Sequence, residues 1–324
     1  MTLRKLAALT GYSLSTVSKA FSGSKEISEP TRQIIFAEAK KQGCFEKYCK
    51  EKYDQRIIAV VCPETASAHY TEILSVLNRL VSDKGATMAI SITEFSTETE
   101  QRLLSFYASG RADGILVIGG NCDIPTRTSV PIVCLGGTVS DNHDAVLIDM
   151  ESGMREAIGT LKSKGHRQLA FIGEELTVSK EKLFQRIVKE YRLPEPTVIR
   201  TEQRFEAGGY RAAAALLQQQ PIPSAIVAAY DYMAFGAINA IREAGFRVPE
   251  DISVIGSDDI RTAAYERIGL TTITLNTLDA CRLAVDRLFQ KIDHPTYQTV
   301  QTTVIKSQLV PRKTVAEYNS GISK

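Results

Sequence analysis

Short runs rich in valine and isoleucine alternate with amphipathic segments along most of this chain, from residue 57 to residue 310. The apolar runs, such as RIIAVVCP and ADGILVIGG, are typical of strands that are buried on both faces of a parallel sheet. Regular alternation of strand and helix predicts an α/β fold with doubly wound parallel sheets. The 268 residues that follow position 56 are too many for one simple core, so we expect two lobes.

The amphipathic segments predict helices over 70–84, 97–109, 151–164, 179–191, 206–219, 231–244 and 278–291. The apolar runs predict strands in RIIAVVCP, ATMAISI, ADGILVIGG, VPIVCLGG, DAVLID, RQLAFIG, PTVIR, SAIVAAYD, DISVIGSDD, TTITL and TTVIKSQLV.

The first 43 residues have a different pattern, which predicts three helices. Gly11 supplies the tight turn of a helix-turn-helix, and Ser13 is placed as the N-cap of a second helix over 14–21. A third helix is predicted after Ser28, because a proline follows in its first turn. The residues predicted to face inward are Leu3, Leu6, Ala7, Ala8, Val17, Ala20, Phe21, Ile34, Ile35 and Ala39.

The outward face of the second predicted helix carries small polar side chains and one cation. Residues 1–56 hold 11 Lys and Arg against 6 Asp and Glu, whereas the remaining residues hold 28 against 31. Cations concentrated on one small helical unit indicate that this unit meets phosphates, as in DNA binding. The alternative is a helical cap whose lysines are only solvated.

The motif L-x-x-x-A-x-x-x-G-x-S-x-x-T-V-S-x, followed by S-x-x-T-R, resembles the headpiece of the lac repressor (LacI/GalR) family of bacterial transcription regulators. The body is similar too, most specifically over 228–259. Leu14 is expected to touch a thymine methyl group, and Lys19 to reach a guanine. The residues predicted to contact DNA are Thr2, Ser13, Leu14, Ser15, Thr16, Ser18, Lys19, Ser28, Thr31 and Arg32.

The resemblance implies a helix-turn-helix headpiece and a two-lobed, periplasmic-binding-protein-like body in which the chain crosses three times between lobes. The predicted headpiece covers 1–43, a divergent hinge or linker 44–56, and the effector-binding and dimerisation body 57–318. Lobe one is predicted over 57–150 and 276–306, and lobe two over 151–275 and 307–318.

An effector is expected in the cleft at the carboxyl ends of the strands. The resemblance places eight residues there: Ser67, His69, Tyr70, Lys180, Phe205, Tyr230, Asp231 and Asp258. Tyr70 and Phe205 are candidates for stacking, and Asp258 for accepting hydrogen bonds from the ligand. Lys180 favours a phosphorylated or carboxylated ligand over a neutral sugar. The alternative is that His69 and Lys180 are only polar residues of the rim.

The segment 44–56 departs from the family's hinge motif Y-x-P-N-x-x-A-R-x-L, whose leucine wedges into the minor groove. That leucine is missing, and three acidic side chains would repel phosphates: Glu46, Glu51 and Asp54. A helix and a solvated linker both remain open. We expect the operator to stay nearly straight when bound, so that Tyr53→Ala changes the affinity for the operator little. In the alternative case, Tyr48 or Tyr53 supplies the apolar wedge and the operator is bent.

Other function classes find little support in the sequence. We find no phosphate-binding glycine loop, nucleophile elbow or HExxH motif, so no enzymatic activity is predicted. The six cysteines and four histidines do not form a zinc-binding pattern, and neither a metal nor a cofactor is expected. The start MTLRKLAAL is too charged for a signal peptide, and no apolar run reaches 18 residues. A cytoplasmic protein without membrane contact is therefore expected.

Two functions from different classes follow. The first is a homodimeric repressor that binds double-stranded operator DNA and responds to a small-molecule effector (a sugar, a sugar phosphate or another small metabolite). The dimer is expected because the chain ends soon after LVPRKTV without an added heptad segment. The second is a cytoplasmic ligand-binding protein whose degenerate head no longer reads DNA.

Overall fold

The apolar runs form the strands of two six-stranded sheets, and the amphipathic segments form helices that pack against them. The computed structural model describes residues 1–22, 24, 26–48, 56–120, 128, 130–137, 142–297 and 299–318. Contacts divide the chain into two units: Met1–Arg56 with Gly85–Thr87, and Ile57–Lys84 with Met88–Lys324.

The N-terminal unit is helical. Its helices are α1 (Leu3–Thr10), α2 (Leu14–Phe21), α3 (Glu29–Lys41) and the short α4 (Phe45–Tyr48). Gly11 has a φ of 73°, a left-handed conformation that glycine adopts without strain, and it ends α1 before the turn into α2. Fully buried Leu6, Val17 and Ile35 join the first three helices in one core.

Two of the predicted inward positions in this unit are wrong. Ala8 is exposed, and the side chain of Ile34 is 52% exposed. Helix α3 instead turns Ile35 and Ala39 inward, with Phe36 half-buried beside them. The sequence offers adjacent apolar residues here, and only the packing against the other helices decides which of them is buried.

In the first sheet, four pairs of neighbouring strands run parallel: β1 with β3, β3 with β4, β4 with β5, and β5 with β11. Its strands are β1 (Ile57–Cys62), β2 (Thr87–Ile92), β3 (Gly114–Ile118), β4 (Ile132–Leu135), β5 (Asp144–Asp149) and β11 (Thr302–Lys306), in the order β11-β5-β4-β3-β1-β2. Its helices are α5 (Ala68–Asp83), α6 (Thr97–Ala108) and α11 (Thr277–Asp293). We call this part lobe one.

The second sheet is parallel except for its edge strand β12, which is antiparallel to β10. Its strands are β6 (Leu169–Gly173), β7 (Thr197–Arg200), β8 (Ala225–Ala228), β9 (Ser253–Asp258), β10 (Thr271–Thr274) and β12 (Gln308–Val310), in the order β12-β10-β9-β8-β6-β7. Its helices are α7 (Met150–Ser163), α8 (Val178–Glu190), α9 (Phe205–Leu216) and α10 (Asp231–Glu243). We call this part lobe two. The predicted α/β fold with two parallel-sheet lobes is confirmed.

The chain crosses between the lobes after β5, after β10 and after β11. The run TTVIKSQLV, predicted as one strand, is split into β11 and β12 because the third crossing lies at Ser307. The Ser307 hydroxyl donates to the carbonyl of Asp149 at 2.6 Å and accepts from the amide of Gly153 at 2.9 Å. The side-chain Nδ2 of Asn276 donates to the carbonyl of Lys306 at 2.8 Å. The crossing segments are therefore joined to one another by hydrogen bonds.

Helices α9 and α10 approach each other through glycine. A Cβ atom added at Gly209 would lie 2.0 Å from the carbonyl oxygen of Met233, and one added at Gly236 would lie 2.0 Å from that of Glu206. Backbone cannot yield as a flexible side chain does, so these two positions require glycine for steric reasons.

We predict that Gly209→Ala lowers the stability of the body by about 1–3 kcal/mol, because the added methyl group forces the two helices apart. Urea unfolding followed by circular dichroism measures this loss. Gly159→Ala is the control, since its Cβ would meet only the side chain of Tyr191, at 3.3 Å. Equal stability of the two variants would contradict the close-packing argument.

Candidate functional sites

Helix α2 has a buried face and a polar exposed face. The hydroxyl of Ser13 caps the helix by accepting from the amide of Thr16 at 3.0 Å. Its buried residues are Val17, Ala20 and Phe21. Three residues predicted to contact DNA are exposed on it: Leu14, Ser15 and Ser18. A helix that presents small polar groups and one apolar tip is suited to the edges of bases in a major groove.

Lys19, near the end of the same helix, forms an ion pair with Glu26, a residue that the sequence analysis did not single out. The two side chains are 43% and 69% exposed. An exposed ion pair contributes about 0–1 kcal/mol, so the ammonium group can exchange Glu26 for another acceptor at little cost. The position of Lys19 is therefore compatible with its predicted role as a base-reading residue.

Three of the other predicted DNA contacts lie at helix starts. The hydroxyl of Thr2 accepts from the amide of Lys5 at 3.4 Å, and that of Ser28 accepts from the amide of Thr31 at 3.4 Å. The hydroxyl groups of Ser28 and Thr31 also lie 2.9 Å apart. These contacts fix the first turns of α1 and α3, whose amide groups are places where a phosphate can bind.

Arg32, whose contact with DNA stays a prediction, is engaged within the N-terminal unit. Its guanidinium donates to the carbonyl groups of Ala20 and Ser24, both at 2.9 Å, and its side chain is only 12% exposed. The Ala20 carbonyl belongs to the last turn of α2, where backbone acceptors have no partner within the helix. Arg32 therefore holds the end of α2 and the following turn in place.

Helix α4 closes the N-terminal unit through aromatic contacts. The ring of Phe45 lies 5.0 Å from that of Phe36, edge to face, and the ring of Tyr48 lies 5.9 Å from that of Phe21. The Tyr48 hydroxyl donates to the carbonyl of Met1 at 2.7 Å. Tyr48 is thus engaged within this unit, and its alternative use as a wedge stays a prediction. The predictions on Glu51, Tyr53 and Asp54, and on the side chain of Glu46, lie outside the described residues.

A cavity of about 410 Å³ lies between the two lobes, at the carboxyl ends of the strands. All eight residues predicted for the effector line it: Ser67, His69, Tyr70, Lys180, Phe205, Tyr230, Asp231 and Asp258. The structure therefore brings the predicted set together, and their role in binding stays a prediction.

Aromatic rings form much of the cavity wall. In lobe one, the ring of Tyr70 lies 5.0 Å from that of His69 and 6.2 Å from that of Phe95. In lobe two, the ring of Phe205 lies 6.1 Å from that of Tyr230. Burial raises the pKa of both tyrosines and lowers the pKa of His69, so these three groups are uncharged at neutral pH.

One arginine joins the two lobes across the cavity. The guanidinium of Arg204, in lobe two, donates to both carboxylate oxygens of Glu64, in lobe one, at 2.7 and 2.8 Å. Its Nε atom donates to Glu174 of lobe two at 3.0 Å. The hydroxyl of Tyr230 also donates to Glu174, at 3.2 Å. The pKa of Arg204 is raised, chiefly by its hydrogen bonds to Glu64, so the guanidinium stays charged.

Lys180 is directed at protein acceptors. Its ammonium nitrogen lies 2.8 Å from the carbonyl of Ala229, 3.3 Å from Oδ1 of Asp258 and 3.4 Å from the hydroxyl of Ser257. Three N–H donors thus have three acceptors. Lys180 lines the cavity as expected, and the preference for an anionic ligand that was inferred from it stays a prediction.

Asp231, at the start of α10, is also engaged with protein donors. One of its oxygens accepts from the amide of Ile260 at 2.9 Å, and the other accepts from the hydroxyl of Thr272. The residue is 1% exposed, and burial raises its pKa well above the usual range. Its contacts connect α10 with β10 and with the end of β9, so Asp231 shapes the cavity wall.

Three cavity residues other than glycine have a left-handed backbone: Phe95, Phe205 and Asp258, with φ values of 61°, 60° and 104°. Residues other than glycine rarely adopt this conformation, and it persists only where the surroundings enforce it. Such residues gather at ligand sites, which supports a functional role for this cavity.

Five charged or aromatic lining residues were not predicted from the sequence: Glu64, Phe95, Glu174, Arg204 and Tyr232. Two of these residues could have been predicted from the sequence. Glu64 and Glu174 stand just after β1 and β6, at the carboxyl ends where a ligand was expected. Arg204 precedes α9 in a loop, and no local pattern marks it.

Residues 158–315 match the model of the periplasmic binding protein-like domain family. The chain is 28% identical to the HTH-type transcriptional repressor PurR of Escherichia fergusonii, over 98% of this chain and 97% of that protein. The lac repressor dimer bound to operator and the anti-inducer ONPF has a similar fold, with a TM-score of 0.73 at 23% identity over 98% of this chain and 99% of that one. The complex of the transcriptional regulator CelR with cellobiose has a TM-score of 0.67 at 25% identity, over 97% and 99%.

The chain is therefore similar to bacterial repressors of the PurR and lac repressor type. The similarity to PurR spans almost its whole length, so it includes the helical N-terminal unit as well as the two lobes. Among the described residues, no helix is both long enough and apolar enough to span a bilayer.

The segment in which the resemblance would place a hinge motif begins with α4. Its Phe45 and Tyr48 pack on the rings of Phe21 and Phe36, so this part of the segment contributes to the core of the N-terminal unit.

We predict that Phe45→Ala lowers the stability of the N-terminal unit by roughly 1–2 kcal/mol, because a half-buried ring leaves the aromatic cluster. Hydrogen exchange of the α3 amides should then speed up, while that of β1 and β6 stays unchanged. Phe106→Ala, which removes a ring that is 46% exposed in lobe one, is the control. Unchanged protection of α3 in the Phe45 variant would refute the closing role of α4.

We predict that Glu64→Gln weakens closure of the cleft by roughly 1.5–3 kcal/mol, because Arg204 loses its charged partner in the other lobe. Small-angle X-ray scattering of the protein without ligand should then show a larger radius of gyration. Glu151→Gln is the control, since Glu151 pairs with Arg155 and Arg186 within lobe two alone. A radius of gyration equal to that of the wild type would show that other contacts hold the lobes together.

Proposed function

We propose that this protein is a sequence-specific DNA-binding transcriptional repressor whose affinity for its operator is controlled by a small molecule bound between the lobes. The observation that carries this proposal is the exposed polar face of α2, held by the Ser13 cap and by the Arg32 contacts at its other end. A ligand-binding protein without DNA affinity has no need of this rigid, exposed surface.

The DNA-contacting residues are those of α2 and of the starts of α1 and α3. Leu14 meets a thymine methyl group, and Lys19 leaves Glu26 to reach the O6 and N7 atoms of a guanine. The Thr2, Ser28 and Thr31 hydroxyl groups and the first-turn amides of α1 and α3 meet phosphates, which gives affinity without sequence preference. Ser13, Ser15, Thr16 and Ser18 complete this surface.

A small molecule bound in the cavity controls the affinity of the protein for its operator. PurR is named a repressor, CelR is seen with cellobiose, and the lac repressor is seen as a dimer on its operator with an anti-inducer. By analogy, this protein acts as a homodimer on a near-palindromic site, and an effector that binds both lobes shifts the population of DNA-competent dimers. We place this activity in the cytoplasm and assign no enzymatic step to it.

We assign these functions to the domains whose boundaries were predicted from the sequence. The headpiece covers 1–43, and the linker covers 44–56. The effector-binding and dimerisation body consists of lobe one, 57–150 and 276–306, and lobe two, 151–275 and 307–318.

A gel-shift experiment with fragments of the host genome tests the proposal. The repressor function requires one or a few fragments to bind at protein concentrations at which most do not, with an affinity that falls steeply as salt is raised. Equal affinity for all fragments, or no binding, would favour a ligand-binding protein whose head no longer reads DNA.

We predict that Lys19→Ala weakens binding to the selected fragment by about 1–3 kcal/mol, because a base contact is lost, and affects random DNA much less. Titrations of both DNAs at one salt concentration measure the ratio. Lys41→Ala, at the end of α3, removes a cation of equal charge outside α2 and serves as the control. A similar loss on both DNAs would argue against a base-reading role for Lys19.

A further inference from the structure

The charged groups of the cavity do not balance. Three carboxylates face it, those of Glu64, Glu174 and Asp258, against the two cations Lys180 and Arg204. Burial disfavours the ionised form of Asp231, which therefore adds little negative charge. These five charged side chains are 6–30% exposed. Solvent therefore screens the net negative charge of the one unbalanced carboxylate only in part.

The cations of the cavity are already engaged. Lys180 has an acceptor for each of its three N–H groups, and Arg204 donates to Glu64 and Glu174 through all three of its nitrogens. A phosphate or carboxylate group could pair with Lys180 only by displacing a protein acceptor, and one that paired with the two remaining N–H groups of Arg204 would lie beside the carboxylates of Glu64 and Glu174. Loss of a partner would leave a largely buried carboxylate unpaired, which is costly.

One carboxylate oxygen remains available. Oδ1 of Asp258 accepts from Lys180, whereas Oδ2 has no hydrogen-bond donor among the residues that the structure describes. The Asp258 side chain is 11% exposed and lies at the end of β9, on the cavity wall. An ionised carboxylate can accept several hydrogen bonds, so this oxygen is a site for a ligand donor.

The aromatic walls also favour positive charge. The guanidinium of Arg204 lies 4.7 Å from the ring centre of Phe205 in lobe two and 5.6 Å from that of Phe95 in lobe one. The negative faces of aromatic rings attract cations. These walls therefore already hold one flat cation of the protein itself, between carboxylates.

We propose that the effector of this protein is a small ligand with a single positive charge, such as a protonated amine, whose N–H groups donate to Asp258. One positive charge balances the excess carboxylate, and the Asp258 oxygen without a donor receives the ammonium group. Anionic ligands are disfavoured by the same charges. The assignment rests on the proposed effector role of the cavity and is independent of DNA recognition by α2.

Matched triplets of probes test the charge preference. Glucose, glucosamine and glucose 6-phosphate share one ring, and benzyl alcohol, benzylamine and benzoate share another, and each triplet offers a neutral, a cationic and an anionic member. Binding to the full-length protein is measured by isothermal titration calorimetry at neutral pH. We expect the cation to bind at least tenfold more tightly than the other members in at least one triplet.

Asp258→Asn should abolish that preference, because the amide keeps the shape of the side chain and removes its charge. The affinity for the cation should then lie within threefold of the affinity for the neutral member of the triplet. Asp259→Asn is the matched control: this neighbouring carboxylate pairs with Arg312 at 2.6 Å and does not line the cavity. It should leave the preference unchanged. Circular dichroism melting of both variants separates loss of binding from loss of folding.

Three results would overturn the proposal. They are tighter binding of the phosphate or the carboxylate, no binding by either cation, and a cation preference that persists in a folded Asp258→Asn variant. The gel shift on genomic fragments is scored separately with the wild-type protein. Cation binding without selective DNA binding would refute the repressor function and leave the ligand class intact, and the reverse result would do the opposite.

Discussion

Burial of both faces of each parallel sheet is the constraint on which the functional geometry depends. Helices cover the faces, so the strand ends are where polar side chains can meet a ligand. Strands β1, β6 and β9 end at the cavity and bring Glu64, Glu174 and Asp258 to it from distant parts of the sequence. One rule of sheet construction thus explains why residues so far apart in the chain share one site.

The same constraint creates an electrostatic problem, because carboxylates from both lobes face one another across a narrow space. Arg204 resolves it by lying between Glu64 of lobe one and Glu174 of lobe two. Lys180 does the same for Asp258 within lobe two. Because one of these ion pairs crosses the cleft, the charge state of the cavity and the separation of the lobes are coupled. A ligand that alters the charge state of the cavity therefore also shifts the separation of the two lobes.

The sequence predicted features that depend on local pattern. Strand and helix periodicity located the two sheets, because periodicity is a property of short stretches of chain, and the family resemblance supplied the eight cavity residues. Features that depend on tertiary pairing were missed. The partner of Arg204 lies 140 residues away, and nothing near Lys180 shows that its ammonium group is already engaged. Arg32 matched a family motif, but the carbonyl groups that it contacts became known only from the packing.

The pairing of Lys19 with Glu26 affects how the protein distributes itself among many DNA sites. Any encounter with DNA must first separate the two side chains, whichever sequence is present. Only a site with guanine in the right place returns a hydrogen-bonded contact to base edges, whereas other sites return mainly the attraction of phosphates, which the nearby Glu26 carboxylate opposes. The pair thus reduces retention on the vast excess of unrelated DNA more than it reduces occupancy of the operator. With Lys19 in its proposed base-reading role, a single acidic residue beside α2 therefore favours the operator over unrelated DNA.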